Sequence, residues 1–178
     1  MRVEYKGTEL TNKEKEMVWD ILCQCDADFY PRLSARNSSY QKDLKSSGVA
    51  EEKPTAYFEG MIEQYFILAY EGEEVVGFMT FKQNYECEAL QEFGTSLYIT
   101  TVCVRKEKRG RGIMKEMYRV MEQEAAKCCS CNRISTRTWS LNDAQIHELA
   151  KRGYEKLCVL VDDRGPGVDT VYFGMVIS

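Results

Sequence analysis

Residues Thr101 to Tyr118 read TVCVRKEKRGRGIMKEMY, and this stretch decides the fold. Its apolar segment Val102-Cys103-Val104 predicts a buried strand, and apolar residues recur at helical spacing over 114–125. Between the two, Gly110 and Gly112 permit a tight turn without side-chain bulk. Backbone N–H groups converge at such a turn when it opens a helix, and they bind anions there. The stretch therefore predicts a strand, a phosphate-binding turn and a helix.

Helical and strand patterns alternate on both sides of this stretch. Thr11 and Glu14 have the spacing of a capping box, which predicts a helix over 11–28. Strands are predicted at 65–69, 75–81, 98–104, 133–139, 154–161 and 168–176, the first two as an antiparallel hairpin, and further helices at 54–64 and 143–152. This order predicts an α/β (α+β) fold. It is a single domain, 1–178, with a mixed, mostly antiparallel sheet and helices on both faces.

The composition narrows the classes of function. A formal net charge of −4 argues against a nucleic-acid-binding protein, which normally carries a basic stripe, and it favours cationic substrates. No apolar run approaches the ~18 residues of a membrane span, and the first six residues lead into no apolar segment typical of a signal peptide. We therefore expect a cytoplasmic protein without nucleic-acid or membrane partners. A homodimer is the default oligomer.

Eight cysteines in such a chain are expected to be reduced thiols and not disulfides. The cluster Cys128-Cys129-Ser130-Cys131 invites a metal interpretation, with Cys23-Gln24-Cys25 as a second pair of ligands. A zinc site usually combines separated ligand pairs, and His147 is the single histidine of the chain. Plain thiols are the preferred interpretation, and no metal is predicted.

The glycine-rich turn resembles the coenzyme-binding motif of the GNAT acyltransferase superfamily. In that motif a Val-x-Val-like strand leads into Arg/Gln-x-x-Gly-x-Gly/Ala at the head of a helix. Arg109 and Gly112 match it, and Met114 stands where the family usually has Gly or Ala. A second family feature, an asparagine followed eleven and twelve residues later by Gly-Phe, is similar to Asn142 and Gly153-Tyr154. The two motifs occur in the family's order.

This resemblance implies a site for acetyl-coenzyme A, used as a co-substrate. The strand backbone would contact the pantetheine arm and the reaction's oxyanion, and the turn would bind the pyrophosphate. The asparagine would bond to the pantetheine or phosphate region. The implied coenzyme-binding residues are Val102, Cys103, Val104, Arg109, Gly110, Arg111, Gly112, Ile113, Met114, Lys115 and Asn142.

The implied reaction is acetyl transfer to a primary amine of a small molecule or peptide, by direct attack of the amine on the thioester. Two candidates for proton transfer lie near the coenzyme strand. Tyr98 is on the strand itself, and Glu92 lies in the acidic loop before it, together with Glu86 and Glu88. Each also has a simpler interpretation, as a core tyrosine or as part of a solvated loop.

The family's usual general acid, a tyrosine seven residues after the motif asparagine, is absent here because that position is Leu149. Tyr154, Tyr172 or a water molecule would have to replace it, and Tyr154 is the third catalytic candidate. The missing tyrosine also motivates an alternative function. In that alternative, the fold is a non-catalytic acyl-CoA-binding sensor or interaction module.

Residues 30–60 are polar and interrupted by breakers, including Lys45-Ser46-Ser47-Gly48. This pattern predicts loops around a short helix, forming a mobile flap. By the same resemblance, the flap would shape the site for the acyl acceptor. Arg32, Arg36 and Tyr40 are its candidate acceptor-site residues, with a polar surface segment as the competing interpretation.

Overall fold

The computed structural model describes residues 1–45 and 48–178, so the predicted break at Ser46 and Ser47 lies outside the described residues. Strands in these ranges form a seven-stranded sheet of order β1-β2-β3-β4-β5-β7-β6. Their bounds are β1 Arg2–Gly7, β2 Tyr65–Glu71, β3 Glu74–Tyr85, β4 Ser96–Val104, β5 Arg133–Trp139, β6 Glu155–Gly165 and β7 Val168–Val176. Neighbouring strands are antiparallel except for the parallel pair β4 and β5, which confirms the predicted sheet.

Helices cover both faces of this sheet. They are α1 Asn12–Cys25, α2 Thr55–Met61, α3 Ile113–Val120 and α4 Asp143–Arg152. After Val120, α3 continues through a π-helical turn, Met121–Ala125, and ends at Cys128. No helix in the described ranges is both long and apolar enough to cross a bilayer.

Helix α1 begins as its sequence predicts. The Glu14 N–H donates to Thr11 Oγ1 at 3.1 Å, and the Thr11 N–H donates to Glu14 Oε2 at 2.9 Å, which completes the capping box. The Tyr70 hydroxyl of β2 also donates to Glu14 Oε1, at 2.7 Å. The cap therefore starts the helix and fixes it to the sheet.

Two hydrophobic cores lie on opposite faces of the sheet. On one face, α1 and α2 bury Val18, Ile21 and Tyr57 against apolar side chains of β2 and β3. On the other face, α3 packs Met117 against the sheet, and Leu149 of α4 is fully buried beside it. Because both faces are covered, the central strands are buried on both sides, as their continuous apolar runs predict.

The parallel pair β4 and β5 separates, and this separation positions the site. Their described pairing covers Leu97–Ile99 and Ile134–Thr136. The register of β4 against β3 shifts between Ile99 and Thr101, which makes Thr100 the extra residue of a β-bulge. Beyond the bulge, the edge of β4 that faces β5 is left without pairing to that strand, and its backbone polar groups border a cleft.

The structure differs from the predicted elements at several places in the described ranges. Strand β3 runs to Tyr85, beyond its predicted end at 81, and α1 ends at Cys25, before its predicted end at 28. Strand β1 was not predicted; its residues are half polar, and its strand form comes from pairing with β2. Strand β6 runs to Gly165 and not to Val161, because Gly165 pairs with Val168 of β7 beyond a register shift. Helix α2 ends at Met61, before the predicted end at 64.

Candidate functional site

A cavity of about 630 Å³ opens where β4 and β5 separate. One wall is the β4 segment that follows the bulge, and the others are the N-terminus of α3, the N-terminus of α4 and the segment after α1. Predicted coenzyme residues in these walls are Val102, Cys103, Val104, Arg109, Gly110, Gly112, Ile113, Met114, Lys115 and Asn142. Arg111 is not among the lining residues, and its guanidinium instead lies 3.6 Å from Glu71 Oε1. The fold thus brings ten predicted residues to one cavity.

The glycine turn has the backbone conformation that glycine permits. Gly110 and Gly112 have φ values of 75° and 79°, in the left-handed region, and Gly112 is the N-cap of α3. A Cβ atom at either position would meet no described heavy atom within 4 Å. The conformation, and not lack of space, therefore favours glycine here. No described side chain caps α3, so its first backbone N–H groups are available to an anion.

The cationic side chains of the turn hold it in place. Arg109 Nη2 donates to Asp28 Oδ2 at 2.8 Å, and its Nε donates to the Val104 carbonyl at 3.1 Å. Lys108 Nζ donates to Glu71 Oε2 at 2.5 Å. These bonds tie the turn to the segment after α1, to β4 and to β2. Arg109 therefore positions the turn as well as contributing positive charge to it.

Two thiols stand in the cavity wall between α1 and β4. Cys25 Sγ accepts a hydrogen bond from Arg109 Nη2 at 3.4 Å, and Cys103 is buried on β4. A hydrogen bond from the Cys103 thiol, together with the Arg109 charge, lowers the pKa of Cys25 against the effect of burial. Burial and the same thiol pairing raise the pKa of Cys103. Cys25 is therefore the thiol that ionises first.

Asn142 joins β5 to α4 beside the cavity. Its side-chain oxygen accepts from the Gln145 N–H at 3.4 Å as the N-cap of α4, and its Nδ2 donates to Thr138 Oγ1 at 3.0 Å. Gly153 ends the helix with φ of 96°, as predicted. Leu149, at the family's tyrosine position, has no exposed surface and belongs to the core. His147 is exposed.

The catalytic candidates lie outside the cavity lining. Tyr98 is fully buried and stacks on Tyr85 with ring centroids 4.1 Å apart. Glu92 is exposed, as are Glu86 and Glu88. Tyr154 packs in the α3 core, and its buried hydroxyl has no hydrogen-bond partner among the described residues. Their predicted catalytic roles have no support from cavity contact.

Arginines form the wall of the cavity at its other end. Arg36 of the predicted flap and Arg164 of β6 are each 5% exposed, and half-buried Arg137 of β5 lies with them in the lining. Arg36 Nη2 and Arg164 Nη1 both donate to the Tyr30 carbonyl, at 3.2 and 2.7 Å. The two nitrogens are thus at most about 6 Å apart, the sum of these distances. Arg137 Nη2 donates to the Gln41 carbonyl at 2.6 Å.

The electrostatics of this wall are unfavourable to two of its three cations. Burial would lower the pKa of Arg137, but its interactions with Tyr98 and Tyr172 outweigh burial and raise that pKa. Burial, and then repulsion from Arg137, lowers the pKa of Arg36 to about 10. Burial and repulsion from both other arginines lower the pKa of Arg164 to about 9. Two unit charges ~6 Å apart repel by about 3 kcal/mol at an effective dielectric constant of ~20. An anion placed among the arginines would relieve this repulsion.

Sequence reasoning named part of this wall and missed part of it. Arg36 was a predicted acceptor-site residue and lines the cavity. Arg32 and Tyr40, predicted with it, are exposed: Arg32 lies 3.4 Å from Asp26, and Lys82 Nζ lies 3.5 Å from the Tyr40 ring centroid. Arg137 and Arg164 were not predicted. The available signal was an arginine within the alternating strand 133–139, which ordinarily indicates a solvated edge.

The eight cysteines lie in the described chain as free thiols. Cys129 Sγ accepts a hydrogen bond from Gln83 Nε2 at 3.0 Å, and it lies 3.6 Å from the Tyr5 hydroxyl. Among residues 1–45 and 48–178, no three His, Cys, Asp or Glu side chains are grouped closely enough to hold a metal ion.

Solved structures share this fold. An aminoglycoside 6'-N-acetyltransferase from Enterococcus faecium aligns with a TM-score of 0.69 and 17% identity, over 100% of this chain and 98% of that chain. A ribosomal-protein-alanine N-acetyltransferase from Brucella melitensis gives 0.67 and 14%, over 99% and 100%. A Bacillus anthracis protein in complex with acetyl coenzyme A gives 0.54 and 19%, over 65% and 63%. At these identities the likeness shows the fold alone.

The family comparison goes further than the fold. No curated protein matches the sequence. The acetyltransferase (GNAT) family model matches residues 19–154, which include the glycine turn, the separated strands and the Asn142 motif. The chain therefore belongs to the GNAT acetyltransferase family.

Proposed function

We propose that this protein is an acetyl-CoA-dependent N-acetyltransferase that acts on a primary amine of a small molecule or peptide. One observation carries the proposal. The N-terminus of α3, whose N-cap Gly112 offers no side-chain hydrogen bond, opens into the same cavity as the edge of β4 that is unpaired with β5. Such a helix terminus binds phosphate, and a free strand edge binds an extended amide chain. Acetyl-CoA has both parts, a diphosphate and a pantetheine arm with two amides.

In this proposal the diphosphate lies at the N–H groups of residues 112–115, with Lys115 nearby. The pantetheine arm extends along Val102 to Val104 and brings the thioester toward the bulge at Thr100. Backbone N–H groups of the strand then stabilise the oxyanion that forms when the amine attacks. Asn142 holds the start of α4 against the same cavity.

The carboxylates of the cavity favour an amine that needs little help from a base. The lining includes Asp28 and Glu148, and both accept from arginines: Arg109 at 2.8 Å and Arg152 at 3.4 Å. A lysine-like amine of pKa ~10.4 requires about 4.6 kcal/mol to be neutral at pH 7, whereas an amine of pKa ~7.7–8.0 requires about 1–1.4 kcal/mol. The latter reacts largely through proximity to the thioester. We infer an acceptor amine with a low pKa in the bound state.

A non-catalytic acyl-CoA-binding module is the alternative. It is favoured by the buried Leu149 at the family's tyrosine position, and by a lining that contains no tyrosine among the described residues. A module of this kind would bind acetyl-CoA without using it.

Calorimetry and turnover separate these two functions. The protein is titrated with acetyl-CoA, and then incubated with acetyl-labelled acetyl-CoA and a panel of small and peptide amines. The proposal predicts 1:1 binding and labelled amide product from at least one amine class. Binding without labelled amide from any amine would favour the module, and absence of binding at millimolar acetyl-CoA would contradict both.

A further inference from the structure

The arginine wall and the turn proposed to bind the coenzyme diphosphate lie at different positions along β4. Arg137 follows Thr136, which pairs with Ile99 of β4. Val104, five residues further along β4, accepts a hydrogen bond from Arg109 of the glycine turn. Five residues of strand span roughly 16 Å at ~3.3 Å per residue. The wall therefore lies at the end of the cavity where β4 and β5 still pair, and the turn lies at the end where they have separated.

The arginines are held in place by uncharged oxygens. Arg36 donates to the carbonyls of Tyr30 and Pro31, at 3.2 and 3.1 Å. Arg164 donates to the Tyr30 carbonyl and to Thr170 Oγ1, at 2.7 and 3.0 Å. These bonds fix the guanidinium groups without neutralising them. A carboxylate, Asp163, reaches the wall through Thr170, whose hydroxyl donates to it at 2.5 Å.

Each guanidinium also retains donors beyond the bonds that fix it. A guanidinium has five N–H donors in a planar fork that matches carboxylate and phosphate geometry. Arg36 uses Nε and Nη2, and Arg164 uses Nε and Nη1, in the bonds described. Arg137 donates through Nη2 to the Gln41 carbonyl, and interaction with Tyr172 contributes to raising its pKa. All three arginines line the cavity, so their remaining donors are within reach of a ligand there.

We propose that Arg36, Arg137 and Arg164 bind an oxyanion of the acetyl acceptor, a carboxylate or a phosphate. The acceptor would then be a small primary amine that carries an anionic group. This inference rests on the proposed acetyltransferase function and specifies its substrate class. It also reverses the expectation from the net charge of −4, because local charge decides what the cavity binds.

The arrangement suits the chemistry as well as the recognition. An oxyanion at the arginine wall leaves the amine of the acceptor to point along β4 toward Thr100 and Val102, which also line the cavity. Nearby positive charge disfavours the ammonium form and lowers the pKa of the bound amine. The wall would thus favour the neutral amine that attacks the thioester. The two carboxylates among the described lining residues, Asp28 and Glu148, are both paired with arginines, so neither is free to act as a base.

Matched amines test the proposal. Acetyl transfer is measured as kcat/KM for 4-aminobutyrate against butylamine, and for O-phosphoethanolamine against ethanolamine. The wild-type protein should prefer the anionic member of a pair by about 10-fold or more, the scale of a hydrogen bond to a charged group. The pair with the larger ratio identifies carboxylate or phosphate. Equal or higher rates for both amines that lack the anionic group would overturn the proposal.

Variants connect the preference to the wall. Arg137→Gln should reduce the anionic-to-neutral ratio about 10-fold, while Arg133→Gln, an exposed arginine on the same strand, should leave it unchanged. Arg164→Lys keeps the charge and removes the fork, so it should give an intermediate ratio. Unchanged melting temperature and acetyl-CoA affinity verify that each variant is folded. An unaltered ratio in folded Arg137→Gln would also overturn the proposal.

A binding arm separates this inference from the proposed function. The two amines with an anionic group, and butylamine and ethanolamine without one, are titrated by calorimetry into the protein saturated with coenzyme A. If the coenzyme does not bind, they are titrated into the protein alone. Binding of an anionic amine, lost in Arg137→Gln, supports the arginine site whether or not acetyl transfer is seen. Acetyl-CoA binding without any selective binding of the anionic amines refutes the inference and leaves the proposed function standing.

Discussion

Replacing Gly112 by aspartate places a negative charge where the coenzyme diphosphate is proposed to bind. The side chain has room, because a Cβ at this position meets no described atom within 4 Å, and it would project at the N-cap of α3 beside the cavity. Aspartate tolerates the left-handed backbone better than most residues, so the cost to folding should be about 1 kcal/mol. The main effect falls on binding.

The size of that effect follows from Coulomb's law. A phosphate bonded to the first N–H groups of α3 lies roughly 6 Å from the new carboxylate, and two unit charges at this distance repel by about 0.7 kcal/mol in water and ~2.8 kcal/mol at an effective dielectric constant of ~20. For a diphosphate of about two charges in a half-open cavity, we expect a loss of about 2–4 kcal/mol. This corresponds to a ~30- to 1000-fold weaker Kd.

The assay is calorimetric titration with acetyl-CoA at low and high salt. Gly153→Asp is the matched control, since Gly153 also has positive φ and open space around it but caps the far end of α4, outside the cavity lining. It should be at least as destabilised as Gly112→Asp, because a carboxylate is unfavourable at a helix C-terminus, yet it should bind like wild type. Equal affinity of the Gly112 and Gly153 variants would refute the assignment of the diphosphate to this turn.

Two predictions concern stability. Burial alone would raise the pKa of Glu14, but hydrogen bonds from the Thr11 N–H and Tyr70 outweigh burial and lower that pKa. The ionised Glu14 therefore stabilises the fold fully above the unfolded pKa of ~4.3, and this stabilisation is lost as pH falls through the folded pKa. The wild-type advantage over Glu14→Gln in urea unfolding should therefore shrink between pH 7 and pH 3; a constant advantage would contradict this. Glu122→Gln should cost about 1–3 kcal/mol, because Glu122 accepts from Arg152 at 2.8 and 2.5 Å across α3 and α4 at a largely buried site. An unchanged unfolding midpoint would show that this ion pair contributes nothing.

Local patterns made the proposed coenzyme-binding part of the cavity predictable. The glycine turn depends on the backbone freedom of Gly110 and Gly112 and on the helix that follows, all within a few residues. The ends of α4 are likewise determined by residues next to the helix, the N-cap Asn142 and the C-cap Gly153. Short-range features of this kind appear in sequence because the residues that cause them are neighbours.

The arginine wall was not predictable by the same route. Arg36, Arg137 and Arg164 are distant in sequence and meet because β5 pairs with β7, β7 pairs with β6, and both Arg36 and Arg164 bond to the Tyr30 carbonyl. Each arginine alone looks like an ordinary solvated residue. They are buried together because strands distant in sequence pair with one another, and the local hydrophobic periodicity of a sequence does not reveal such pairing.

Strand β4 shows that closeness along the chain does not place a side chain in the cavity. Tyr98 was a candidate because it is on the coenzyme strand itself, and it lies only two residues from the bulge at Thr100. It is nevertheless covered completely and stacked on Tyr85. The bulge changes the relation between sequence position and cavity, so proximity along the chain does not give access to the ligand.

Amide hydrogen exchange with and without saturating acetyl-CoA tests the central claim most directly, because it locates the coenzyme on the chain. The account predicts slower exchange at residues 101–104 and 110–115, and no change at β1, Arg2–Gly7, on the far edge of the sheet. Unchanged exchange in both segments at saturation, or protection confined to other strands, would contradict a coenzyme site between β4 and the N-terminus of α3.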